Sequence, residues 1–145
     1  MADTPAIKVK AFALIRRGGE VLVSLARDPV TDQTFARLLG GHVEFNETAQ
    51  DALVRELHEE LGATIVAKTL HGWLENMFEY AGAPGHEVIA IFEAVFVDVS
   101  LYRQEHFEML DPHEQSLDIV WRTPDDLRAQ NIPFYPAGVE RFLTA

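Results

Sequence analysis

A chain of 145 residues with 48% hydrophobic content has the size and apolar fraction of one ordinary globular domain, so a single domain over residues 1–145 is expected. Twelve basic against twenty-three acidic residues give a net charge of −11, which argues against binding long nucleic acid through a basic surface. Zero cysteines exclude disulfides, thiolate metal sites and thiol nucleophiles; with no apolar run of about 18 residues and no basic-then-apolar leader, the chain reads as soluble and cytoplasmic, with no membrane span.

Residues 1–6, MADTPA, read as a frayed terminus. Residues 7–16 begin with alternation and continue as an apolar run, the pattern of a strand buried on at least one face. Gly18-Gly19 is a hairpin signal, and residues 21–26 are the returning strand. Residues 27–34 form a loop by their Asp and Pro content, and a short strand over 35–39 delivers the chain to Gly40-Gly41.

The next stretch is GGHVEFNETAQDALVRELHEELGA, residues 40–63. Thr48 followed by Asp51 is a variant capping box, so a helix is expected to start near Ala49. Its interior lacks Gly and Pro, and Gly62 sits where a left-handed cap ends it near Leu61, after about three and a half turns. At about 100° per residue, Leu53, Val54, Leu57 and Leu61 share one arc, while Arg55, Glu56, Glu59 and Glu60 share another. The like charges of Glu56 against Glu59 and Glu60 destabilise an isolated helix by roughly 0.2–0.5 kcal/mol per pair. Arg55, one turn before Glu59, offsets part of that. Three converging carboxylates also suit a hard divalent cation, and the glycine pair lets backbone approach them closely. The plain alternative is an acidic face turned to water.

The spacing decides between them. Gly41, then five residues to Glu47, seven to Arg55-Glu56-Leu57, one to Glu59-Glu60 and one to Gly62 resembles the signature of the Nudix hydrolase family. The resemblance implies an α/β fold, an α/β/α sandwich with a mixed sheet. It also implies a hydrolase that uses Mg²⁺ or Mn²⁺ to cleave a small-molecule nucleotide, a nucleoside diphosphate linked to another moiety. Carried over by position, Glu56, Glu59 and Glu60 are metal ligands with the Gly40 carbonyl beside them, and Arg55 and Glu47 orient the ligand carboxylates. Ala63 stands where the pattern usually has Ile, Leu or Val, and Leu39 where it often has Pro; both touch packing or the turn and leave the ligands intact. Many relatives are dimers, which keeps a homodimer open. An intact box argues against a non-hydrolytic nucleotide sensor, and the lack of cysteine against an isoprenoid diphosphate isomerase. Arg27 and Arg37 are candidates for substrate phosphate, since guanidinium matches its oxygens bidentately. Arg16 and Arg17 read as surface residues at strand ends.

Beyond the helix, residues 64–68 are short and extended, and residues 69–80 and 86–99 flank AGAPG as a long antiparallel hairpin. Glu75 and Asn76, with His86-Glu87 on the other arm, are polar groups in aromatic strands, candidates for substrate contact or for cross-strand pairing. Trp73, Phe78 and Tyr80 are either core or a stacking surface for a base. Residues 101–116 are irregular and acid-rich, a composition more often functional than filler. Glu114, shortly before Asp118-Ile119-Val120-Trp121, resembles the further glutamate of the Nudix pattern and is the first candidate there for a ligand or general base, ahead of Glu108; Glu59 is the candidate base from the helix. His106 and His113 are weaker candidates. Residues 117–121 form a last strand, Thr123-Pro124-Asp125-Asp126 opens a short helix ending near Ala129 or Gln130, and residues 136–143 are expected as a terminal helix.

Overall fold

The computed structural model describes residues 5–143; of the frayed terminus expected at residues 1–6, residues 1–4 lie outside them, and residues 5–6 are exposed and in no strand or helix. The first strand, β1 (Lys8–Leu14), ends earlier than its apolar run because the chain crosses from one sheet to another at buried Ile15. The next strand, β2 (Arg16–Arg17), already belongs to the second sheet. Gly18-Gly19 turns it into β3 (Glu20–Arg27), with Arg17 opposite Glu20. The returning strand therefore pairs with β2 and not with β1. Two short strands follow, β4 (Thr34–Arg37) and β5 (Leu39–His42), then helix α1 (Ala49–Leu61).

The hairpin is longer and its loop shorter than the sequence pattern suggests. Strand β6 (Ile65–Tyr80) absorbs the extended piece after the helix through irregularities at Ala67/Thr69 and Leu70/Gly72. Strand β7 (Ala83–Phe96) starts directly after Ala81-Gly82. Both turn residues have positive φ, 54° and 80°, which is the two-residue turn whose twist matches the strands, so Ala83, Pro84 and Gly85 join the ladder. Strands β8 (His106–Phe107) and β9 (Asp118–Arg122), helix α2 (Pro124–Ala129) and strand β10 (Phe134–Tyr135) complete the chain. The terminal helix is reduced to a 3₁₀ turn, Val139–Phe142, because Gly138 at φ 88° breaks the helical path in front of it.

The strands divide into two mixed sheets. The first runs β5-β1-β7-β6 with β1 and β7 parallel; the second runs β10-β4-β3-β9-β8 with β10 and β4 parallel. Small residues on one face of the first sheet, Ala11, Ala13, Ala67, Ala90 and Ala94, let α1 lie close, and Leu53 and Leu57 are fully buried against them. Each such leucine contributes about 1.5–3 kcal/mol. Large residues cover the other face, where Phe12, Leu74, Ile89 and Ile91 meet Val139 and Phe142. The sheet is thereby covered on both faces and α1 is fixed beside the β5 edge. No helix among the described residues is long and apolar enough to cross a membrane.

Candidate active site

The glycine pair and α1 are built for each other. At Gly40, φ is 145°, and an added Cβ would sit 2.0 Å from the Ala11 carbonyl oxygen; at Gly41 it would sit 2.4 Å from the Glu56 carboxyl carbon. The turn thus presses against the β1 backbone on one side and against a helix carboxylate on the other. The freed Gly40 N–H donates to Glu60 Oε1 at 2.8 Å.

Glutamates 56 and 60 are not on a solvated arc. The buried stripe of α1 is Ala52, Leu53, Glu56, Leu57 and Glu60, a three-four ladder in which Val54 and Leu61 are only partly buried. Glu60 is fully buried, and its Oε2 has no hydrogen-bond partner; Arg37 Nη2 stands 4.0 Å away, too far for one. Burial pushes the Glu60 carboxyl up to about 8 and also raises that of Glu56.

Arg55 holds the exposed side of the site together. Its Nε and Nη2 take both oxygens of Glu47 at 2.8 and 2.9 Å, Nη2 also reaches the His42 carbonyl at 2.9 Å, and Nη1 reaches Glu56 at 3.1 Å and Glu59 at 3.2 Å. The bidentate contact holds Glu47 down at about 2, so it is ionised throughout the working pH range. The Arg55–Glu59 pair expected along the helix is therefore present. The capping box is only half made: Thr48 accepts from the Asp51 amide at 3.1 Å, while α2 carries the full reciprocal form at Thr123 and Asp126.

The irregular stretch contributes a residue that pattern reasoning missed. Leu110 N–H donates to the Glu60 carbonyl at 2.8 Å, docking the loop on the end of α1. Carboxylate oxygens of Glu56, Glu59 and Asp111 then lie within 4.8 Å of one another. The available signal was the turn Asp111-Pro112-His113-Glu114, in which Glu114 N–H reaches the Asp111 carbonyl at 3.2 Å. Glu114 sits at the other end of that turn and accepts from Arg37 at 2.6 Å. The carboxylate of Glu108 is exposed and has no ion pair or hydrogen bond among the described residues, and His106 pairs with Asp118.

Other candidates fall elsewhere. Arg37 faces carboxylates at Glu114 and Glu60. Arg27 is exposed, 3.5 Å from Asp32, and lines a cleft of about 330 Å³ with Glu114, Gln115 and Ser116. Glu75 is exposed, whereas its neighbour Asn76 is buried and faces Glu87 across the hairpin. Arg16 pins the C-terminal turn through Glu93 and the Phe142 and Leu143 carbonyls, and Arg17 stacks over Trp121 at 4.9 Å.

Glu60 gives the metal-free protein a pH signature. Its carboxyl moves from about 4.5 unfolded to about 8 folded, so the folded state holds the proton more tightly. The stability it contributes is complete below about pH 4.5 and is lost as pH rises through about 8, with Glu56 adding the same sign. In chelator, Tm is expected to fall across this window and Glu60→Gln to flatten the fall. A wild-type profile already flat would mean that Glu60 is ionised and compensated.

Comparison with known proteins places this geometry. The family description NUDIX domain matches residues 5–142. The chain is 33% identical to the nucleoside triphosphatase NudI of Escherichia fergusonii over 94 residues, a match spanning 62% of each chain and so less than two thirds of that relative. It superimposes on the MutT protein of Methanosarcina mazei with a TM-score of 0.66 at 19% identity, covering 99% of this chain and 94% of that one, which speaks to the fold alone. The ORF135 protein of Escherichia coli gives a TM-score of 0.53 at 28% identity over 97% and 89% of the two chains.

Proposed function

The chain belongs to the Nudix family, and from that premise we propose that it is a divalent-metal-dependent pyrophosphohydrolase of small nucleotides, nucleoside triphosphates being the first class to try. The observation that carries this reading is the convergence of the Glu56, Glu59 and Asp111 carboxylates beside an arginine that holds two of them.

The residues present fit a hard cation. Glu60 Oε2 is buried without a hydrogen-bond partner, and the Gly41 cradle leaves room for the Glu56 carboxylate that a side chain would fill. Glu56, Glu59 and Glu60, with Asp111 and the Gly40 carbonyl close by, would hold Mg²⁺ or Mn²⁺. When bound, the ion supplies charge neutralisation at the diphosphate oxygens and a more acidic water. Arg55 keeps Glu56 and Glu59 in register, and Glu47 keeps Arg55 in place. A carboxylate accepts the proton of the attacking water as its oxygen bonds to phosphorus and the bridging P–O bond breaks. Glu59 and Glu114 are the candidates for that carboxylate, Glu59 accepting from Arg55 at 3.2 and 3.3 Å and Glu114 from Arg37 at 2.6 Å. Arg27, exposed in the cleft that Glu114 also lines, would meet a polyphosphate tail. A homodimer goes with this reading through the family resemblance, and a cytoplasmic setting through the cysteine-free sequence.

The test is a hydrolysis panel over nucleoside triphosphates, ADP-sugars and dinucleoside polyphosphates, with Mg²⁺, with Mn²⁺ and with chelator. Turnover of at least one class is expected, and only with metal. Millimolar Mg²⁺ should also raise Tm, since an ion at 100 times its Kd stabilises by about 2.7 kcal/mol. No turnover and no shift together would end the proposal.

A further inference from the structure

Two arginines face the carboxylates of the site, and they are used differently. Every guanidinium nitrogen of Arg55 is hydrogen-bonded. Arg37 makes one such bond, from Nη2 to Glu114 Oε2 at 2.6 Å, and among the described residues its Nε and Nη1 make none. The same Nη2 stands 4.0 Å from Glu60 Oε2, the buried oxygen without a hydrogen-bond partner. Among the described residues no other basic side chain pairs with Glu60 or with Glu114.

The contact is held from both sides. Arg37 lies on β4 between Ser24 of β3 and Tyr135 of β10, and its side chain is 15% exposed. The segment that carries Glu114 is tied to α1 by the Leu110 amide on the Glu60 carbonyl, and to β3 by the Ser116 hydroxyl, 2.8 Å from that of Ser24. A guanidinium keeps its charge at every working pH, so Arg37 does not yield by losing a proton. Fixed beside a buried carboxylate, with little water to screen it, that charge opposes a cation at Glu60. It also holds Glu114 to itself. Nε and Nη1 remain open to an anion, and a diphosphate oxygen there neutralises the charge.

We propose that Arg37 is a positioning residue that makes cation and diphosphate bind together. In the ligand-free protein it is the counter-charge of Glu60 and Glu114; a diphosphate oxygen neutralises it and thereby admits the cation. This rests on the metal-dependent reading above and adds how the two ligands depend on each other. Linkage is reciprocal, so the cation tightens the diphosphate by the factor by which the diphosphate tightens the cation. Were Arg37 only a strut between β4 and the Glu114 segment, removing either end of the pair would have the same effect.

The experiment compares the wild type with Arg37→Gln, Arg37→Lys and Glu114→Gln, with a melting curve for each. Mn²⁺ affinity is measured without other ligands, and the affinity of methylenediphosphonate, a non-hydrolysable diphosphate, in chelator and in saturating Mn²⁺. Complexation in solution is common to all four proteins and cancels when they are compared. Arg37→Gln should bind Mn²⁺ alone about 10-fold tighter than wild type, and Mn²⁺ should help the diphosphonate about 10-fold less. Arg37→Lys keeps the charge and should stay within about 3-fold on Mn²⁺. Glu114→Gln leaves Arg37 unopposed, so it should bind Mn²⁺ more weakly and the diphosphonate in chelator more tightly, the reverse of Arg37→Gln on both counts. If Arg37→Gln fails to fold, this pair of opposite shifts in Glu114→Gln decides alone. Mn²⁺ affinity unchanged in a folded Arg37→Gln, or shifts of the same sign in the two glutamine variants, overturns the inference and leaves metal-dependent hydrolysis standing. A wild type that binds no Mn²⁺ ends both, whereas these shifts without turnover of any nucleotide end only the enzymatic reading.

Discussion

Replacing Glu59 with glutamine is expected to lower kcat by about 10²- to 10⁴-fold while leaving Tm unchanged. The separation follows from where the side chain sits. Glu59 is 46% exposed, and its contacts are two bonds from Arg55 Nη1, at 3.2 and 3.3 Å. An exposed pair one helical turn apart is worth roughly 0.3–0.5 kcal/mol, and losing it is partly balanced by relief of the repulsion between Glu59 and Glu56. Glutamine keeps the size and the helix propensity but gives up the charge that a cation or a proton needs. Glu56 and Glu60 cannot provide so clean a test, because both are buried and a substitution there moves fold and chemistry together. Steady-state rates and a melting curve on the same preparation suffice. Activity within about threefold of wild type would remove Glu59 from the machinery, and lost activity with a matching fall in Tm would make its role structural.

The parts of the site that were legible in the sequence are those made by local chemistry. Thr48 and Gly62 cap α1 as their types require, and the glycine pair, Glu47 and Arg55 lie close enough in sequence for spacing to bring them together. What spacing could not show is which way the helix faces. A wheel that counts glutamate as polar turns Glu56 and Glu60 to water, whereas they complete the buried stripe with Leu53 and Leu57, because the β5 turn offers a backbone N–H there in place of apolar surface. Asp111 was hidden for a different reason: it reaches the helix through a contact between Leu110 and Glu60, fifty residues apart, that no local pattern encodes. The division into two sheets was hidden likewise, since alternation along residues 7–16 specifies a strand but not that the chain changes partners at Ile15. The terminal helix was over-read from composition, with Gly138 the residue that should have limited it.

The two glycines of the turn should fail in different ways when each is given a methyl group. In Gly40→Ala the new Cβ would lie 2.0 Å from the Ala11 carbonyl oxygen and 2.8 Å from the Phe12 Cα, at a φ of 145° that side chains rarely adopt. Those atoms cannot yield, because β1 is hydrogen-bonded to β5 on one side and β7 on the other. Strain and overlap together are expected to cost about 3–5 kcal/mol, a large share of the 5–15 kcal/mol that holds a domain folded, and to lower Tm by roughly 10 °C or more. In Gly41→Ala the obstacle is the Glu56 carboxyl group, 2.4–2.7 Å away, the far end of a side chain that can swing aside. The fold should survive with a loss of about 1–2 kcal/mol, while a displaced Glu56 carboxylate lowers activity by about 10²-fold. Thermal melts and initial rates on the two variants read these outcomes directly. A Gly40→Ala protein that melts with the wild type would show that β1 can yield, and a fully active Gly41→Ala protein would mean that the position of Glu56 does not matter to the chemistry.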